Sequence, residues 1–241
     1  MMYPIDYKYE FISMTRYYGS TVQLIRQFKK LYIYEIQIIF TSSIEKKRVL
    51  KYLDHFYLEI PEELSEQKAF WDELYDYIGF SYENYIDISN NLACIDLLLS
   101  ILFKHKYIKR NSTVLDFGCG SGLSLRSNWR NICNIIGYES NHTMYSIARS
   151  RGLKVYLPEM IDTCLDNSIN AVFASFVFHM YIDYDVLKCI SLKLKDKTAW
   201  SLNFYKDINK DKTIQMFQNL GYHHECVGKM KKIGSVYIFY R

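Results

Sequence analysis

The chain has 241 residues, of which 49% are hydrophobic and 23% charged, with a formal net charge of +4. This is ample apolar material for a buried core and excludes wholesale disorder. The slight basic excess also excludes nucleic-acid binding driven by bulk charge alone.

Six cysteines are scattered, with no C-x-x-C pair and no Cys/His cluster at metal spacing. Reduced thiols, a cytoplasmic location and no structural zinc are therefore expected. The first residues, MMYPIDYKYEFISM, place acids where the apolar core of a leader would stand. The longest apolar run, LLLSILF after Asp96, is too short to span a bilayer, so no membrane attachment is expected.

Residues 1 to about 107 read mostly as helices. In STVQLIRQFKKLYIYEIQIIF, the residues Val22, Leu24, Ile25, Phe28, Leu31 and Tyr32 recur at roughly helical spacing, although its end, LYIYEIQIIF, could pair as a strand. SIEKKRVLKYLDHFYLEI is a second amphipathic candidate. PEELSEQKAFWDELYDYIGF is a third, with Pro61 at a first-turn position and acids following it. NNLACIDLLLSILFKHKY is a fourth and more buried candidate, its lysines toward the carboxyl end.

From residue 113 the texture changes. TVLDFG, NIIGYE, KVYLP, NAVFASFVF and TAWSLNFY read as strands separated by helical segments, which predicts a parallel, doubly wound sheet. HHECVGKM and SVYIFYR, separated by a short turn, predict a terminal antiparallel hairpin.

The stretch TVLDFGCGSGL carries glycines at alternate positions, Gly118, Gly120 and Gly122, directly after the first of these strands. Glycines there let the backbone approach a ligand at the carboxyl edge of the sheet. Glu139 follows the second strand, about 20 residues on, the spacing at which a carboxylate accepts hydrogen bonds from a ribose diol. Together they suggest an adenosine-bearing cofactor. The pattern is G-x-G-x-G rather than G-x-G-x-x-G, and Asp116 precedes it; an acid there is awkward beside a pyrophosphate and useful beside an ammonium group.

VLDFGCGSG resembles the first motif of the class I S-adenosylmethionine-dependent methyltransferases, and the resemblance extends to about residue 240. In GLKVYLPEMIDTCLDNSINAVFASFVFHM the third and fourth strands are similar to those of the family, with Asn170 where a second acid is usual. The implied fold is a Rossmann-like, seven-stranded, mostly parallel α/β sheet with a C-terminal antiparallel hairpin and a helical N-terminal extension. The implied division is a lid or dimerisation region over residues 1–87 and a cofactor-binding core over 88–241. The cofactor implied is S-adenosyl-L-methionine, leaving as S-adenosyl-L-homocysteine.

Carried over by position, the resemblance places Gly118, Cys119 and Gly120 along the methionine moiety, with Asp116 beneath it. Glu139 would hold the ribose, with Ser140 beside it. Glu159 and Met160 would flank the adenine, and Ser175 and Phe176 would lie near the sulfonium. His179 is the candidate general base. Tyr82 or Tyr85, in the segment just before the core, would touch the methionine carboxylate. Tyr17, Tyr18, Phe70, Trp71 and Tyr77 could line an apolar acceptor pocket.

Two departures stand out. LSLRSNWRNI, after the glycine turn, is short and polar for a helix, and KLKDKTAW lacks the usual Pro-Gly turn. The expected function is methyl transfer to oxygen or nitrogen of a small-molecule acceptor in a biosynthetic role, in a chain able to form a homodimer through its N-terminal region. Nucleic acid is not the expected partner, because no N/D-P-P-Y/F follows the fourth strand and the basic clusters KHKYIKR and KMKK are small. RNA (tRNA or rRNA) or protein methylation is one alternative, and a catalytically silent scaffold or activating subunit is another.

Overall fold

The computed structural model describes residues 9–12, 21–28, 31–40, 43–52, 55–59, 68–69, 71–72, 75–76, 79–84, 86–163, 168–180, 182–207 and 209–241. The chain divides into two units, Met1–Phe70 and Trp71–Arg241.

The first unit is β-structure where helices were expected. β1 (Tyr9–Ile12), β2 (Thr21–Phe28), β3 (Leu31–Phe40), β4 (Ser43–Tyr52) and β5 (His55–Glu59) form an antiparallel sheet in the order β1-β5-β4-β3-β2. The helical extension is thus corrected over these residues. The apolar spacing of 22–32 fits a helix, but Ile36 and Ile38 alternate with Glu35 and Gln37, which is strand period in a β-branched run. Register then pairs Glu35 with Arg48 and Ile36 with Lys47 across β3 and β4. A register shift between Leu24 and Arg26 marks a bulge in β2, which is where the helical spacing misleads.

The second unit opens with helical residues in 71–76 and a 3-10 turn at Gly79–Asn84. α1 (Ile88–Lys104) follows, started by Asp87, whose carboxylate accepts the Asn90 N–H. The strands β6 (Thr113–Phe117), β7 (Asn134–Tyr138), β8 (Lys154–Tyr156), β9 (Ala171–Ala174) and β10 (Ala199–Phe204) are joined by α2 (His142–Ser150), α3 (Tyr184–Leu192) and 3-10 turns. α4 (Lys210–Asn219) leads to the hairpin β11 (His223–Met230) and β12 (Gly234–Tyr240).

The sheet order is β11-β12-β10-β9-β6-β7-β8, parallel from β10 through β8 and antiparallel in the hairpin, as expected. Both faces are covered, which explains why β9 and β10 are buried throughout and mostly apolar. Leu98, Leu99 and Leu102 of α1 pack with Tyr145 and Ala148 of α2 on one face. Leu187, Ile190 and Phe217, from α3 and α4, pack with Trp200 and Phe239 on the other. Strand order reverses between β9 and β6, so the crevice at their carboxyl ends is where such a sheet takes a ligand.

Candidate active site

The glycine loop begins where β6 ends. Gly118 has φ +70°, and a Cβ there would stand 2.6 Å from a Val177 methyl, so both conformation and space demand glycine. The Gly118 and Cys119 N–H groups donate to the Tyr138 carbonyl at 2.9 and 3.0 Å, tying the loop to the end of β7. Cys119 turns its thiol under the loop into the space that a Cβ on Gly137 would occupy, at 2.6 Å. Burial, with Asp116 and Glu139 nearby, pushes that thiol well above its ordinary value, so it packs rather than reacts.

Glu139 is buried at the end of β7. Its Oε2 accepts the Gly120 N–H at 2.8 Å and its Oε1 accepts the Asn141 N–H at 2.9 Å. Burial raises its pKa, opposed by the N–H groups of Asn141, Gly120 and Ser140. Asp116 is buried one strand away and pushed up to about 7, chiefly by burial. The Ser124 hydroxyl beside it favours the charged form, and Glu139 opposes it. Two carboxylates thus flank the loop where apolar packing would need neither. Ser140 is exposed at the rim.

The segment before α1 reaches this loop. The Tyr82 ring lies 3.9 Å from where a Cβ on Gly120 would stand. Glu83 accepts from Arg126 at 3.0 Å, from Arg151 and, through its Oε1, from the Ser121 hydroxyl at 3.4 Å. Arg151 also donates to the Ser121 carbonyl at 3.0 Å. Asn141 caps α2 through Oδ1 while its amide donates to the Asp72 carbonyl at 3.3 Å and the Asp76 carboxylate at 2.9 Å. Tyr85, Tyr17, Tyr18, Phe70 and Tyr77 lie outside the described residues.

An array of rings continues from Tyr82. Tyr82 meets Tyr75 edge-on at 5.8 Å, Tyr75 stacks on buried Trp71 at 6.1 Å, and Trp71 meets His179 edge-on at 5.5 Å. His179 meets Tyr205 at 6.0 Å, and Tyr205 meets Phe176 at 5.5 Å. His179 therefore sits within an aromatic rim. Phe176 has φ +57°, held by its N–H donating to Asn203 Oδ1 at 2.7 Å; the amide of Asn203 donates to the Ile233 carbonyl at 2.7 Å. Ser175 lies half-buried at the head of this loop.

At the far side, Met160 follows β8 on a 3-10 turn (Pro158–Thr163), and its sulfur accepts from the Tyr145 hydroxyl at 3.8 Å. Glu159 beside it is exposed. The Asp166-Asn167 turn lies outside the described residues. Asn141, Asn203, Glu83 and Tyr205 escaped the sequence reading. Asn203 was signalled by a lone amide in an otherwise buried strand, and Asn141 by N-cap position. Nothing in one sequence pairs Glu83 with Arg126 and Arg151.

The polar LSLRSNWRNI stretch forms two 3-10 turns, Leu123–Arg126 and Asn128–Asn131, in place of an α-helix. Among the described residues no group of three or more His, Cys, Asp or Glu could hold a metal, and no helix is long and apolar enough to cross a membrane.

Residues 115–195 match a family model described as a methyltransferase domain. No curated protein matches the chain in sequence. Among solved structures, the chain is similar to 1,6-didemethyltoxoflavin-N1-methyltransferase of Burkholderia thailandensis, whose structure holds 1,6-didemethyltoxoflavin and S-adenosylhomocysteine. That likeness has 10% identity and TM-score 0.52, covering 91% of this chain and 97% of that one. It is also similar to the plantazolicin methyltransferase BpumL, solved with a pentazolic desmethylPZN analog and SAH, at 10% identity and TM-score 0.52, covering 74% of this chain and 95% of that one. At such identity these likenesses establish the fold.

Proposed function

We propose that this chain, whose residues 115–195 match a methyltransferase-domain model, is a class I S-adenosylmethionine-dependent methyltransferase that transfers a methyl group to oxygen or nitrogen of a small-molecule acceptor. The observation that carries this reading is the buried Glu139 carboxylate bonded to the glycine loop at Gly120, with buried Asp116 beside it. Each Glu139 oxygen accepts one backbone N–H and keeps a second lone pair, so a ribose diol can still donate to it. Asp116, already buried, gains a counter-ion when an ammonium group lies above the loop. The bare backbone at Gly120 leaves room for an amino-acid tail, whose carboxylate Tyr82 would meet.

S-adenosylmethionine supplies the methyl group on a positively charged sulfur when bound. Ser175 and Phe176 would flank that end of the cofactor, and Met160 and Glu159 would hold its adenine end. The aromatic rim of Trp71, Tyr75 and Tyr205 orients an apolar acceptor and excludes water. Alignment of this kind can supply ~7–11 kcal/mol of the barrier. His179 takes the proton from an acceptor hydroxyl or amine, worth about two to four powers of ten.

A silent scaffold is the second reading, favoured by the 3-10 turns that replace the helix after the glycine loop. Calorimetric titration with S-adenosylhomocysteine and transfer of labelled methyl from S-adenosylmethionine to small-molecule, RNA and protein pools separate the readings. Cofactor binding with label in the small-molecule pool supports the proposal. Absence of binding sinks it, and label in RNA or protein moves the acceptor class.

A further inference from the structure

At the amino-terminal edge of the large sheet the chain collects cations from segments far apart in sequence. Residues 103–112, FKHKYIKRNS, and residues 192–198, LKLKDKT, together hold seven lysines and arginines against one acid, Asp196. The fold sets them side by side. Lys195 N–H donates to the Ile169 carbonyl just before β9 at 3.1 Å, and Asn170 N–H donates to the Thr113 carbonyl at the start of β6 at 2.9 Å. Since β10, β9 and β6 are neighbours at roughly 4.8 Å per strand, both basic segments occupy adjoining places on one edge. Lys104, Lys106, Lys109, Arg110, Lys195 and Lys197 are exposed there, and none of them enters an ion pair among the described residues.

Two apolar side chains stand at the same edge. Leu192, the last residue of α3, is 69% exposed, and Phe103, near the end of α1, is 48% exposed with its ring 5.5 Å from that of Trp129. α1 and α3 pack on opposite faces of the sheet, so Phe103 and Leu192 bracket the basic row. Helix dipoles favour cations only within the last turn. Lys106, Lys109, Lys195 and Lys197 lie beyond α1 and α3, and no dipole accounts for an exposed leucine.

We propose that this edge docks the protein on an anionic lipid surface. The lysines meet the negative headgroups while Leu192 and Phe103 enter the boundary between headgroups and acyl chains. Lysine outnumbers arginine in the row, which suits a diffuse surface potential better than bidentate phosphate recognition. A nucleic-acid strand would want a row of exposed rings for stacking, whereas Tyr107, the ring within the basic row, is half-buried. Docking leaves the glycine loop, at the opposite ends of the strands, facing away from the lipid.

Co-sedimentation of the full chain with vesicles of phosphatidylcholine alone, or mixed with phosphatidylserine, tests this. Pelleting is expected only with the mixed vesicles. It should weaken as salt rises from about 0.1 M to about 1 M and the screening length falls from ~10 to ~3 Å. Glutamine at Lys106, Lys195 and Lys197 together is expected to lower partitioning on the order of a hundredfold, about fivefold per charge. Leu192→Ser should lower it severalfold with circular dichroism unchanged. Binding indifferent to lipid charge, or no pelleting with the mixed vesicles, overturns the proposal. So does displacement from the vesicles by a single-stranded RNA oligonucleotide, which assigns the edge to nucleic acid.

Discussion

Glu139 reaches from the end of β7 into the neighbouring loop and takes the Gly120 N–H at 2.8 Å, while its other oxygen takes the Asn141 N–H at 2.9 Å. One side chain therefore fixes both the glycine loop and the start of α2. Glu139→Gln keeps the shape but offers a single accepting oxygen, leaving one buried N–H against an amide. A loss of ~1–3 kcal/mol in stability is expected, read by thermal denaturation. Affinity for S-adenosylhomocysteine should fall by roughly 10–100-fold in calorimetry, as expected when a hydrogen bond to a charged group is lost. A variant that melts and binds like the parent contradicts this role.

Asp116 gives the apo protein a pH-dependent stability. Burial raises its pKa in the fold from the ordinary 3.8 to about 7, so the folded state holds the proton more tightly than the unfolded chain. The resulting stability is fully present below about pH 4 and is lost as pH rises through about 7, at up to ~1.4 kcal/mol per pH unit. Glu139, also raised by burial, contributes in the same direction. Melting curves across this window should show the parent losing stability as pH rises and Asp116→Asn losing less. If an ammonium group of the cofactor pairs with Asp116, affinity for S-adenosylhomocysteine should climb as pH rises through about 7. That climb should vanish in Asp116→Asn.

Sequence and structure agree most where one residue's reason is local. The strands from Thr113 onward were readable because short apolar runs alternate with polar, helix-forming segments, and the terminal hairpin because its connection is too short for a crossover. Asp116 and Glu139 were readable as acids at strand ends. The β2–β4 sheet was not, because the bulge between Leu24 and Arg26 breaks strict alternation and lets apolar residues fall at helical spacing. Asn203 and Glu83 were hidden for another reason. Their partners, Phe176, Ile233, Arg126 and Arg151, are brought to them only by tertiary structure.

Asn203 is fully buried and joins the loop after β9 to the turn of the terminal hairpin. Phe176, at φ +57°, depends on its N–H bond to Oδ1, since a non-glycine residue in the left-handed region costs about 1 kcal/mol or more. Asn203→Ala strands the Phe176 N–H and the Ile233 carbonyl together. A loss of ~2–6 kcal/mol is expected, taking the ~1–3 kcal/mol cost of each stranded group, and is measured by urea denaturation. Asn203→Asp keeps an acceptor for Phe176 and loses only the bond to Ile233, so its loss should be the smaller in Phe176 amide protection from hydrogen exchange. Equal loss of that protection in both variants contradicts the asymmetry.

His179 is the remaining test of chemistry as opposed to architecture. Its ring lies edge-on to Trp71 at 5.5 Å and to Tyr205 at 6.0 Å, so packing fixes its plane. A residue serving only as part of that rim would, when shortened, loosen the rim and lower acceptor binding and turnover together. A general base leaves binding intact and removes the proton-transfer advantage. His179→Gln, close in size to imidazole and unable to take the proton, should lower kcat about 10²–10⁴-fold. KM for the acceptor and affinity for S-adenosylhomocysteine should stay near the parent values. A rise in KM with kcat preserved would return His179 to the aromatic rim and leave catalysis to alignment alone.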